Sequence, residues 1–213
     1  MELNRMNGLT LHDFTQALAS KEPTPGDGST AALVGELGCA LAKMTANLTV
    51  GKRRYEKYET ELNAFITEMN RLSGELAHSI ELDADAILAV REAIFMPDGT
   101  MDERQEKVDV MDLTLKASAM VPNEVMEKCL SALILMEGVM DKLNDDALSN
   151  LGGGATFLGA AVKSAYLSSL ATMRSLDDDR FKQKYTDRAK EILTATHDLT
   201  EKIFHFALQK VSA

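Results

Sequence analysis

A chain of 213 residues is long enough for one domain with a sizeable core and short for two. Hydrophobic residues make up 45% and charged residues 26%, an ordinary balance for a globular protein. The net charge of −10 argues against nonspecific nucleic-acid binding, which needs clustered Lys and Arg. No apolar run reaches bilayer-spanning length, and the polar stretch Met1–Gly8 has no apolar leader core, so a cytoplasmic location with no membrane partner is expected.

The elements read as helix nearly throughout. Thr10 with Asp13 resembles a capping box opening a short helix through Leu18. Lys21–Ser29 is a loop with two Pro and two Gly, after which Ser29 or Thr30 can cap a helix running to about Thr49. Its apolar residues, Leu33, Leu37, Leu41, Met44 and Leu48, recur at helical spacing, with Gly and Ala between them. Small residues let other helices approach closely, and a second subunit is one candidate neighbour. Lys52–Lys57 is basic and leads into a long helix from about Tyr55 to Phe95, marked by Tyr58, Leu62, Phe65, Met69, Leu72, Leu76, Ile80, Asp83, Ile87 and Val90.

After a break at Met96–Gly99 comes a helix with Val108, Met111, Leu115 and Ala119 inward. Pro122 is expected to kink or split it, and Met126, Leu130, Leu133 and Met140 continue its pattern. Asn144–Gly154 reads as a second loop, ending in three consecutive glycines. A lean helix follows over about Ala155–Leu176, and a last helix starts near Asp178. The expectation is an all-α fold, a single multihelical bundle of about seven helices over residues 1–213. The 12 Met fill gaps between helices, and Cys39 and Cys129 are expected as buried reduced thiols.

Four features could carry chemistry. Asp83 lies on the apolar stripe of the long helix, and Asp85, about 200° further around it, points nearly the opposite way. The surroundings from Ile80 to Phe95 are apolar, so the segment looks buried on most sides. A buried carboxylate either finds donors or has its pKa raised, as a general base requires; the alternative is that both aspartates cap neighbouring helices or pair with Lys or Arg. The loop Pro23-Thr24-Pro25-Gly26-Asp27-Gly28-Ser29-Thr30 feeds a helix N-terminus, whose free N–H groups suit an anion; a tight turn with a cap is the simpler account. Lys52-Arg53-Arg54-Tyr55 is either an anion site or a solvated helix terminus. Glu75-Leu76-Ala77-His78 is an ExxH motif, but a di-iron bundle needs two of these, so no metal is expected. His78 reads as a packed histidine or a partner of Asp85.

Taken in order, these segments resemble the formiminotetrahydrofolate cyclodeaminase and methenyltetrahydrofolate cyclohydrolase family. Pro23–Ser29 is similar to the family's PxPGGGS loop, and Asn47-Leu48-Thr49-Val50-Gly51-Lys52-Arg53-Arg54-Tyr55 to its NLTxGKKxY stretch. Asp83-Ala84-Asp85-Ala86-Ile87-Leu88-Ala89 is similar to its DxDAxAF, without the final aromatic. Met96-Pro97-Asp98 and Val121-Pro122-Asn123 resemble its LPK and VPL landmarks.

The resemblance implies a homodimer with the active site near the subunit interface and Asp85 as the catalytic proton acceptor. Pro25, Gly26, Asp27, Gly28, Ser29, Asn47, Lys52, Arg53, Tyr55, Asp83 and Asn150 would contact the substrate. It implies a folate one-carbon enzyme with no metal or other cofactor. Such an enzyme cyclises 5-formiminotetrahydrofolate to 5,10-methenyltetrahydrofolate with release of ammonia, or hydrolyses the methenyl form to 10-formyltetrahydrofolate. The chain departs from the pattern at Asp27, in place of the loop's middle glycine, and at Asn150, in place of the Asp of ISDAG. Ser168 and Thr172 stand where the family has paired asparagines. An amide cannot act as a base. The competing expectation is a non-catalytic folate-binding or interaction module on the same helical dimer scaffold.

Overall fold

The structure, a computed structural model, describes residues 6–212. Of the stretch read above for a leader, Met1–Arg5 lie outside the described residues. Six α-helices follow one another: α1 Leu11–Leu18, α2 Asp27–Asn47, α3 Glu59–Ile94, α4 Met101–Val139, α5 Leu148–Met173 and α6 Asp179–Val211. Short 3-10 turns precede α1, α3 and α5, at Met6–Gly8, Arg53–Tyr58 and Asp145–Ala147, and another at Met140–Lys142 ends α4. Among the described residues there is no strand, and no helix is long and apolar enough to cross a membrane.

The count is six rather than about seven, because Pro122 sits inside one unbroken α4. The residue is buried, with Ala119 packed against Met173 of α5 just before it and Asn123 bonded to Ser169 of α5 just after it. A second difference is at Gly152–Gly154, expected as loop and found inside α5. The cause is a close helix crossing. A Cβ on Gly154 would stand 2.8 Å from the Gly38 carbonyl oxygen, and one on Gly38 would stand 2.9 Å from the Gly154 oxygen. Backbones this close admit no side chain at either position, so the glycines serve packing rather than a turn.

The start of α2 also differs. Gly26 is the N-cap residue, and Ser29 is buried within the first turn instead of capping it. The long helix begins at Glu59 rather than near Tyr55, after the 3-10 turn. At the starts of α1 and α6 a side chain caps the helix. Thr10 accepts the Asp13 N–H at 3.1 Å, and Asp178 accepts the Phe181 N–H at 3.0 Å.

Antiparallel α2 and α5 form the middle of the bundle: Asp27 lies near Ser168, Gly38 against Gly154, and Thr45 near Ala147. The α3–α4 hairpin covers one side and α6 lies against α5 and α4. Leu62, Met69, Leu76, Met126, Leu133, Leu158 and Ile203 fill the centre with no exposed surface. Both cysteines are free and buried there; burial pushes the Cys39 thiol up to about 12, and that of Cys129 also upward.

Candidate active site

The N-terminus of α2 is built against α3 by one buried carboxylate. Asp83 is 3% exposed, and its Oδ2 accepts the Ser29 backbone N–H at 2.6 Å and the Ser29 hydroxyl at 2.7 Å. Its other oxygen faces Gly28 so closely that a Cβ there would stand 2.1 Å away. Burial pushes the Asp83 carboxyl above its ordinary value. The two Ser29 hydrogen bonds pull it back, and the neighbouring Asp27 charge adds to the rise.

The loop ahead of α2 is ordered by its own bonds. Pro25 is buried after a cis Thr24–Pro25 peptide, and the Thr30 hydroxyl donates to the Gly26 carbonyl at 2.7 Å. Exposed Asp27 accepts the Gly28 N–H at 3.1 Å and the Ser168 hydroxyl at 3.4 Å through the same oxygen. This corrects the expectation of an open anion seat. Two of the N–H groups that a helix start leaves free, those of Gly28 and Ser29, are already taken by carboxylates of the chain itself.

Asp85 is the second correction. The sequence reading put it in a water-poor wall, but the structure exposes it. Its rotation of about 200° from Asp83 carries it to a side of α3 left open among the described residues. The end of that helix is also less buried than expected, with Ile94 and Phe95 exposed. His78, expected as a packed residue, is exposed as well, and Glu75 of the ExxH motif bonds Arg71 at 2.7 Å.

The other expected site residues lie elsewhere. Exposed Asn47 is the last residue of α2, Lys52 and Arg53 are exposed just beyond it, and half-buried Asn150 is in the first turn of α5. Tyr55 is buried, and its hydroxyl has no hydrogen-bond partner among the described residues. At that end the Asn144 N–H donates to the Thr49 hydroxyl at 2.9 Å, tying the turn before α5 to the end of α2. The 21 residues of α2 span about 30 Å. Within one chain, therefore, the expected residues form two groups at opposite ends of α2. Pro25, Gly26, Asp27, Gly28, Ser29 and Asp83 make one, and Asn47, Lys52, Arg53, Tyr55 and Asn150 the other.

Two features of the site were not visible beforehand. The partnership of Ser29 with Asp83 crosses 54 residues of sequence, and only the coincidence of a buried Asp stripe with a polar first turn hinted at it. A cavity of about 540 Å³ between the first half of α4 and the turn after α5, lined by Val108, Met111, Leu115 and Leu176, had no sequence signal.

Comparison with known proteins agrees with this architecture. A family model described as formiminotransferase-cyclodeaminase matches residues 10–191. Methenyltetrahydrofolate cyclohydrolase of Methylorubrum extorquens is 30% identical over 203 residues, covering 95% of this chain and 98% of that protein. Formimidoyltransferase-cyclodeaminase of Mus musculus is 29% identical over 184 residues; these are 86% of this chain but 34% of the longer protein. The crystal structure of formiminotetrahydrofolate cyclodeaminase from Thermotoga maritima shares the fold, with a TM-score of 0.85 at 23% identity, covering 95% of this chain and 98% of that one. With the family model matching most of its length, the chain belongs to the formiminotransferase-cyclodeaminase family.

Proposed function

We propose that this protein is a folate one-carbon enzyme. It cyclises 5-formiminotetrahydrofolate to 5,10-methenyltetrahydrofolate with release of ammonia, or hydrolyses the methenyl form to 10-formyltetrahydrofolate. The observation that carries the reading is the end-to-end match to a methenyltetrahydrofolate cyclohydrolase, 95% of one chain against 98% of the other. Cyclisation joins N10 to the formimino carbon and breaks the bond from that carbon to the amine. Starting from the protonated formimino group, N10 gives up one proton and the nitrogen leaves as ammonia with that proton gained. Hydrolysis adds water to the same carbon, opens the bond to N5 and releases a proton. Each direction needs one side chain that takes and returns a proton, and no cofactor enters either balance. Asp85 is our candidate for that group.

Three observations support a second copy completing the site. Asp85 is exposed in the single chain, and a general base of this kind works best away from bulk water. The cations that suit the carboxylates of a folate tail, Lys52 and Arg53, lie at the far end of α2 from the loop. Finally, the outer face of α2 leaves Leu37, Met44 and Leu48 at 44%, 48% and 42% exposure, on one helical stripe without a partner in the chain. Antiparallel pairing of two copies along that stripe would cover it. It would also bring the Asn47–Tyr55 end of one copy to the loop end of the other. In this reading the chain is one domain, the dimer carries two equivalent sites, and the buried free thiols suit a reducing cytoplasm.

The test is direct, because the methenyl form absorbs in the near ultraviolet. Purified protein is mixed separately with 5-formimino- and 5,10-methenyltetrahydrofolate. Appearance of absorbance in the first, or its enzymatic loss in the second, supports the reading and tells which direction runs. Binding of both without turnover supports the non-catalytic module instead, an outcome that Asn150 in place of an Asp would favour.

A further inference from the structure

We propose that Asp83 is a positioning residue, whose carboxylate clamps the first turn of α2 onto α3 and thereby sets the pose in which the Pro25–Ser29 loop meets substrate. The proposal rests on the folate reading above and deepens it by assigning the residue that holds the substrate loop. Direct substrate contact, the role that resemblance implies for Asp83, does not fit its place: it is 3% exposed, behind Ser29.

Three features make the clamp. One carboxylate oxygen takes both donors of Ser29, at 2.6 and 2.7 Å, so α2 is fixed in translation and in rotation about its axis at that turn. The other oxygen occupies the space a side chain on residue 28 would need, which makes Gly28 part of the same fit. The next links run outward: Asp27 holds the Gly28 N–H and the Ser168 hydroxyl, and the Thr30 hydroxyl holds the Gly26 carbonyl. Ser29 thus bonds Asp83 directly and Gly28 packs against it, while Gly26 and Asp27 are held beside that pair by bonds of their own.

The arrangement is costly for a purely structural tie. Among the described residues no Lys, Arg or His forms an ion pair with Asp83, and burial without a cation disfavours its charge. An apolar pair at 29 and 83 would join the helices at lower cost. What such a pair would not supply is a directional anchor for the first turn of α2, two residues from the exposed Asp27.

The test compares Asp83→Ala, Asp83→Asn and Ser29→Ala with the native protein. It measures kcat and KM for whichever of 5-formimino- and 5,10-methenyltetrahydrofolate the native protein turns over, together with amide hydrogen exchange over residues 26–31. Asp83→Ala leaves the Ser29 N–H unpaired and its hydroxyl with only the Ile80 carbonyl at 3.3 Å, so KM rises about tenfold or more while kcat stays within about threefold, and exchange at Gly28–Thr30 accelerates. Asp83→Asn keeps an oxygen at the same place and recovers KM to within about threefold of native. Ser29→Ala, which retains the backbone bond and keeps the proposal testable if Asp83→Ala fails to fold, lies between them. A fall in kcat with KM unchanged, or Asp83→Asn as impaired as Asp83→Ala, would overturn the positioning role. Absence of turnover in the native protein would defeat the folate reading instead. The clamp then stands or falls separately on the exchange rates, and unchanged exchange in Asp83→Ala overturns it.

Discussion

The Ser29 backbone N–H points at Asp83 Oδ2 from 2.6 Å, and the Ser29 hydroxyl reaches the same oxygen at 2.7 Å. This contact ties the N-terminal end of α2 to the second half of α3.

Gly28→Ala places a methyl carbon 2.1 Å from Asp83 Oδ1, an overlap relieved only by displacing the Asp83 carboxylate from Ser29 or by shifting α2. We expect a loss of about 1–3 kcal/mol in urea unfolding, the usual range for overpacking, with KM raised in the same variant. A variant as stable as the native protein would mean that the first turn of α2 is loose.

Glycines elsewhere give an internal control. Gly154→Ala drives a Cβ to 2.8 Å from the Gly38 oxygen at the α2–α5 crossing and should cost about 1–3 kcal/mol. Gly138→Ala, inside α4 with nothing within 4 Å of the new carbon, should stabilise by about 0.5–1 kcal/mol through helix propensity alone. Opposite signs in thermal melts are the expected result.

Stability against pH reads the charge on Asp83. Its folded pKa is raised above the ordinary 3.8 by burial, so folding favours its protonated form. That contribution is complete below the unfolded value and is lost as the pH rises through the raised folded value. Relative to Asp83→Asn, native protein should therefore gain stability as the pH falls through that window. The comparison cancels the other carboxylates, whose protonation dominates the absolute curve. A flat difference between the two proteins would show that Asp83 titrates normally.

Oligomeric state tests the arrangement of the two residue groups. Met44→Glu puts a charge on the exposed α2 stripe without touching the core, since Met44 is 48% exposed. Light scattering should show a dimer for the native chain and a monomer for the variant, with turnover falling in parallel. A fully active monomer would show that the cations at the far end of α2 take no part.

Much of this fold is legible in the sequence because helical periodicity is a strong signal over long elements. The stripe from Leu62 to Ile80 gives α3, and the small residues of α2 announce close neighbours. Gly152–Gly154 misled because three glycines are what a loop and a backbone crossing both require, and only the partner, Gly38, distinguishes them. Pro122 gave one helix too many: it lies inside a continuous α4, where local chemistry alone would allow a split. At the site, geometry of a helix was enough to send Asp83 and Asp85 to opposite sides. It could not say which side is covered, because burial depends on elements distant in sequence.

Asp85→Asn is the variant that bears most directly on the account, followed by near-ultraviolet absorbance of methenyltetrahydrofolate beside the native protein. Asp85 is exposed, so an isosteric amide should leave folding and association intact. The account predicts turnover reduced by about 10²-fold or more, the usual worth of a positioned proton acceptor, with folate binding retained. Turnover equal to that of the native protein would contradict it.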